Sequence, residues 1–241
     1  MNSLYHFGDS YATVKYYDNN KHFCHHIANE LNLEYCFDGL GGLSNELIFN
    51  IILSKLSEFK EKDVIFVNFS FFVRGCYYDK KIKQIKSTNT LYNEMYDNKI
   101  YNKNIYKKEI INEGAVDLVN YYLTNTIDYN IRLFTLIDNV FKFLVEKGIN
   151  IFYIFVEEMD WSDGLLNYGI NISFKDGFGN WLVKNNFHNE EDVHYTVGIQ
   201  PMLCDVILRK TNYLSDDIPK KIKIDIEDID YSKIIKPLKL L

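Results

Sequence analysis

The segment Asp63-Val64-Ile65-Phe66-Val67-Asn68-Phe69-Ser70 constrains this chain more than any other. It is apolar without alternation until Asn68 and Ser70 turn its carboxyl end polar, and a strand with no polar face has to be covered by protein on both sides. Two further runs share the pattern. Ile151-Phe152-Tyr153-Ile154-Phe155 leads into Glu157-Glu158-Met159-Asp160-Trp161, and the opening Leu4-Tyr5-His6-Phe7 stops at Gly8-Asp9-Ser10. Between them lie helical periodicities: Phe23, Ile27 and Leu31 within residues 22–31, then Leu47, Ile48, Ile51 and Ile52 after a Ser44 cap, up to about residue 57. The strongest helix spans 128–147, with Ile131, Leu133, Phe134, Ile137, Val140, Phe141 and Leu144 inward and Gly148 as its stop. A short strand is expected at 34–37, and a last helix at 198–210 with Met202, Val206 and Ile207 buried. Such alternation predicts an α/β fold: a three-layer α/β/α sandwich around a mostly parallel sheet.

At 241 residues the chain has room for one large domain with insertions. Residues 1–210 are read as that domain. Residues 75–127, polar and rich in Asn and Lys with Tyr77, Tyr78, Tyr92, Tyr96, Tyr101 and Tyr106 interspersed, are too long for a plain connection. They are expected to form a helical insertion or a lid, whose aromatics either stack on sugar rings or pack a small subdomain. Residues 211–241 form a C-terminal extension, in which the alternation Ile222-Lys223-Ile224-Asp225-Ile226 reads as an extra edge strand or a docking tail.

A net charge of −6 argues against nucleic acid as a partner, and the basic run Lys80-Lys81-Ile82-Lys83-Gln84-Ile85-Lys86 reads as a solvated face. No apolar run approaches the ~20 residues that span a bilayer, so no membrane is implied. His6, Asp9 and Ser10 interrupt any signal-peptide core, so cytoplasmic synthesis is expected. Cys24, Cys36, Cys76 and Cys204 form no C-x-x-C pair and are read as reduced and mostly buried. His22 and His26 stand four apart, a possible metal pair, but with no carboxylate motif around them they read as a solvent-facing pair, and no metal or cofactor is expected. Many Lys, Asn, Ile and Tyr, with arginine at only Arg74, Arg132 and Arg209, suggest the AT-rich coding of a phage, a virus or a low-GC bacterium.

Three polar strand ends converge on one sheet edge in this reading. Ser10 follows the first strand as a candidate nucleophile or an ordinary helix cap. Gly39, Gly41 and Gly42 follow the second, as a backbone anion cradle or a tight turn. Asn68, Ser70 and Arg74 follow the third. Downstream, Glu191-Asp192-Val193-His194 puts two carboxylates just before a histidine, enough for a base and its orienting acid.

In this order the residues resemble the SGNH, or GDSL-type, hydrolase superfamily, in the variant form of some phage-type members. Gly8-Asp9-Ser10 matches its first block in full, Gly42 in Gly42-Leu43-Ser44-Asn45 its second, and Asp192-Val193-His194 its last. The third block departs: Asn68-Phe69-Ser70-Phe71 stands where most members show Gly-x-Asn-Asp. The resemblance implies an SGNH or flavodoxin-like sheet, with Ser10 as nucleophile, His194 as base, and Asp192, or Glu191 at the commoner spacing, as its acid. It further implies an oxyanion hole from Gly42 and either Ser70 or Asn68. The expected function is a serine ester hydrolase acting on a small acyl ester or an acylated glycan, such as a carbohydrate O-deacetylase. The alternative is a structural or receptor-binding component of a phage or virus particle on the same scaffold, with weak or no catalysis, meeting protein partners through residues 75–127 and the C-terminal extension.

Overall fold

The structure, a computed structural model, describes residues 1–9, 11–12, 22–72, 74–79, 84–87, 125–157, 161–162, 164–174, 177–185, 188–189, 192–195, 199–211 and 221–225, with the backbone alone at 76–79, 84–87, 188–189, 192–195, 210–211 and 221–225. In chain order the first half holds β1 (Ser3–Gly8), α1 (Phe23–Glu30), β2 (Glu34–Gly39), α2 (Asn45–Ser54), β3 (Val64–Phe69), β4 (Cys76–Asp79) and β5 (Gln84–Ser87). The second half holds α3 (Thr126–Glu146), β6 (Asn150–Phe155), β7 (Gly169–Ser173), α4 (Phe178–Lys184), β8 (His188–Asn189), β9 (Asp192–Tyr195), α5 (Gln200–Thr211) and β10 (Lys221–Asp225).

Six strands form one sheet in the order β10-β7-β6-β3-β1-β2, parallel at every pairing. The fold is the expected three-layer α/β sandwich. Because β3 lies between β1 and β6 in the middle of the sheet, all six of its residues are buried, which is why its sequence shows no alternation. Its side chains still divide by parity. Val64 and Phe66 join Leu4, Phe152, Ile154, Ile170 and Ile172 on the face covered by α1, α4 and α5. Ile65, Val67 and Phe69 join Phe7, Ile151, Tyr153 and Phe155 on the face covered by α2 and α3. Phe134 and Phe141 of α3, both fully buried, stand at 4.9 and 6.3 Å from the Phe69 ring, and each such side chain contributes about 1.5–3 kcal/mol of burial.

The helix ends follow the sequence closely. Ser44 caps α2 by accepting from the Leu47 N–H, and Gly148, at φ +80°, ends the α3 segment in a conformation that favours glycine. No periodicity announces β7 or α4, since five and seven residues are too few to show one. Of the insertion expected at 75–127, the described part before α3 is the antiparallel pair β4–β5 rather than a helix; the rest lies outside the described residues. In the C-terminal extension, β10 pairs in parallel with β7, so the edge-strand alternative is the one realised.

From β1 the chain crosses to β2 on one side and then returns to β3 on the other, so the order reverses between β1 and β3. In open α/β sheets the crevice at such a switch point, outside the strands' carboxyl ends, is where ligands bind.

Candidate functional site

At that switch point Asp9 leaves β1, Ser70 leaves β3, and Asn45 opens α2, and all three are buried. Ser70 Oγ donates to Asp9 Oδ2 at 2.9 Å, and Arg74 Nη1 reaches both Asp9 Oδ2 and Ser70 Oγ at 2.7 Å. The Tyr11 N–H donates to Asp9 Oδ1 at 3.0 Å, and the Ala12 N–H to the Asp9 carbonyl at 3.0 Å, closing the turn that follows β1. Asn45 grips Ser70 from the other side. Its Oδ1 accepts from the Ser70 N–H at 2.6 Å and its Nδ2 donates to the Ser70 carbonyl at 3.1 Å. A buried carboxylate is tolerated when it is paired and its lone pairs are filled, and Asp9 meets both conditions.

The Arg74 guanidinium also lies over the Phe71 ring, 4.5 Å from its centroid. At the end of β6 the Glu157 carboxylate accepts the Phe72 N–H. Burial pushes the Glu157 carboxyl above its ordinary range, against the opposing pull of that N–H and of Arg74. The Asn130 amide donates to the Phe72 carbonyl at 2.8 Å, so the segment after β3 is held at Ser70, Phe72 and Arg74 together.

Two glycines let the strand ends close. A Cβ on Gly39 would stand 2.5 Å from the Gly8 carbonyl oxygen, and one on Gly8 would meet Ala12 Cβ at 2.7 Å and Asn68 Cβ at 2.8 Å. Gly42, in the turn after β2, has φ +82°. Gly42 thus follows β2, and Asn68 and Ser70 stand at the end of β3, the two strands that flank Gly8 and Asp9 at the end of β1.

Ser10 and Glu191 lie outside the described residues. Asp192 and His194 both fall on the extended strand β9, whose backbone packs beside α4. In turn, α4 borders the turn after β1: a Cβ on Gly179 would be 3.2 Å from Tyr11 Oη, and the Phe178 and Tyr11 rings stand 6.1 Å apart. The segment carrying Asp192 and His194 is therefore one helix away from the turn that follows Gly8-Asp9.

The two candidates for a side-chain oxyanion donor differ. The Ser70 hydroxyl hydrogen is directed at Asp9, so it is not free for another acceptor. Asn68 Nδ2 is a buried donor with no hydrogen-bond partner among the described residues. Its Oδ1 faces His6 Nε2 at 3.0 Å, and since an amide oxygen only accepts, that nitrogen carries the proton. His6 Nδ1 then accepts from the Tyr35 hydroxyl at 2.9 Å. Burial lowers the His6 pKa to about 3, outweighing its bond to Asn68, so this ring is neutral.

His22 is not on a solvent-facing pair with His26. It is fully buried, 4.4 Å from the His6 ring, and accepts the Cys24 N–H at Nδ1 while Nε2 donates to the Tyr11 carbonyl at 3.1 Å. His6, His22 and Cys24 bring ligand-type atoms within 4.8 Å of one another. In this structure both rings spend both nitrogens on hydrogen bonds. Nothing in the spacing pointed to Asn45, Tyr35 or His6, because each acts through a residue remote in sequence. Among the described residues no helix is long and apolar enough to cross a membrane.

No family model and no curated protein matches this sequence.

Proposed function

We propose that the chain is a serine ester hydrolase of the SGNH type, with Ser10 as nucleophile, His194 as base and Asp192 as the acid that orients it. The observation that carries this reading is the Asp9 network. The aspartate of Gly-Asp-Ser is buried at the β1/β3 switch point, bonded to the residues that follow β3 and to its own turn. A fully buried carboxylate is tolerated there because an arginine, a hydroxyl and a backbone N–H hold it, and the switch point it occupies is where open α/β sheets bind ligands. In this reading His194 accepts the Ser10 proton as the hydroxyl attacks an acyl carbon, and later returns it to the leaving alcohol. Backbone N–H groups at Ser10 and Gly42 hold the oxyanion; the Ser70 hydroxyl is already committed to Asp9, and Asn68 Nδ2, though unpaired among the described residues, is sealed from a bound ester unless the strand ends part. The substrate class is a small acyl ester or an acylated glycan.

The test is turnover of p-nitrophenyl acetate and labelling by a fluorophosphonate, each beside Ser10→Ala. Loss of both in a folded variant is expected; undiminished turnover removes the reading.

One observation favours a second reading, a binding or structural component that keeps the scaffold with little catalysis. Asn68 and Ser70 are both without solvent exposure, so neither side chain is open to a bound ester. A folded wild-type chain that neither turns over ester nor takes up the probe supports this alternative.

A further inference from the structure

Two segments meet on Asp9, its own turn and the residues after β3, and Asn45 of α2 joins them through Ser70. Among the described residues Arg74 Nη1 bonds only Asp9 and Ser70, its side chain is 14% exposed, and Phe71 lies against its guanidinium face. Ser70 is bonded at its N–H and carbonyl by Asn45 and at its hydroxyl by Asp9 and Arg74. The carboxylate at the centre also accepts the Tyr11 N–H, so the restraint reaches the turn that follows β1.

Resting on the reading of Ser10 as nucleophile, we infer that Arg74 and Ser70 are positioning residues for it. They act through Asp9, fixing the turn from which the serine hydroxyl is presented, and they touch neither substrate nor the reacting atoms. Asn45 extends the restraint to α2, so that the loops after β1, β2 and β3 are set as one unit. The inference separates two roles that sequence position alone merges. Ser70 holds the nucleophile's turn, and the oxyanion is left to the backbone N–H groups.

A misplaced nucleophile is felt in the rate of attack rather than in substrate affinity, and a displacement of about 1 Å can cost roughly 100-fold. The experiment compares wild type, Arg74→Met, Arg74→Lys and Ser70→Ala by p-nitrophenyl acetate kinetics, by fluorophosphonate labelling rate, and by melting temperature. Arg209→Met, which removes an exposed guanidinium, serves as control. Expected for Arg74→Met is a fall in kcat and in labelling rate of about 10- to 100-fold with KM within about twofold, partly restored by added guanidinium, with Arg74→Lys in between. Ser70→Ala, the smaller change if Arg74→Met fails to fold, keeps its fold and loses rate in the same direction.

Wild-type rate in folded Arg74→Met or Ser70→Ala overturns the inference. So does a loss that falls on KM, or that added guanidinium restores equally in Arg209→Met. A wild-type chain that is folded yet inert and unlabelled overturns the hydrolase reading and this inference with it, whereas an active wild type with active variants removes the inference alone.

Discussion

His6 and His22 are neutral imidazoles sealed beneath the turn that follows β1, and their burial makes stability depend on acid. Desolvation holds His6 at about 3, and His22 is lowered chiefly by desolvation and further by His6. Once the chain unfolds, both rings regain an ordinary pKa near 6.5, so below that pH the unfolded state binds protons that the native state refuses. Stability is therefore fully present above about pH 7 and falls as the pH drops, by about 1.4 kcal/mol per pH unit for each ring. Urea unfolding of the wild type between pH 7 and 4.5 should show that decline, and His6→Gln should start from a lower stability yet lose it with a shallower slope. Parallel slopes for the two proteins would mean that His6 takes up its proton in the native state as well. The sequence offered His22 and His26 as a pair by helical spacing; it could not show that a histidine from β1 stacks on His22, because that contact is made by the sheet and not by the helix. Asp9 and Ser70 tell the same story at a separation of 61 residues. Each was legible as a polar residue at a strand end, and their bond to one another was not.

At the scale of the element, glycine and capping chemistry was the most readable part of the chain. Ser44 was expected to open a helix and does so, with its oxygen on the Leu47 N–H. Replacing it by alanine should lower stability by about 1 kcal/mol, read as a shift in urea midpoint with an unchanged slope, while aspartate at this position should recover most of the loss. Gly8 is a different case, since its φ is not positive and its need is for space. Alanine there has to displace the Ala12 Cβ, the Asn68 Cβ and the Asn68 carbonyl, each now within 2.9 Å of where the methyl would lie. Two of those three are fixed in a sheet strand, so the turn bearing Asp9 is the part that gives. Gly8→Ala should therefore keep the far-ultraviolet circular dichroism of the fold while losing fluorophosphonate labelling of Ser10; labelling at the wild-type rate would show that the turn has slack. Short elements were the ones that pattern could not reach. β7 and α4 carry Ile170, Ile172, Phe178, Trp181 and Leu182 into the core, yet neither is long enough for a period to be distinguished from composition.

Across the whole molecule, burial is graded from the middle of the sheet outward, and opening should follow that gradient. All six residues of β3 are buried, with helices on both faces and strands on both sides, whereas β2 at one edge has no fully buried residue. An edge strand in a parallel sheet also leaves alternate N–H groups without a strand partner, so its amides exchange through small fluctuations that do not disturb the centre. Native-state hydrogen exchange should accordingly find the slowest amides in β3, β1 and β6, close to the global unfolding free energy, and markedly faster ones in β2 and β10. The Asp9 network sits above β1 and β3, between the two most protected strands, so a rigid base lies under the residues proposed to act. Its strength should register there: Arg74→Met leaves a buried carboxylate without its cation, a loss of about 3–5 kcal/mol when a buried pair is broken from one side. That loss should accelerate the slowest amides of β1 and β3 together, since they then exchange by global opening. Acceleration confined to the turn after β1, with β3 unchanged, would instead mean that the network is a local clasp on the loop and carries no part of the fold's stability.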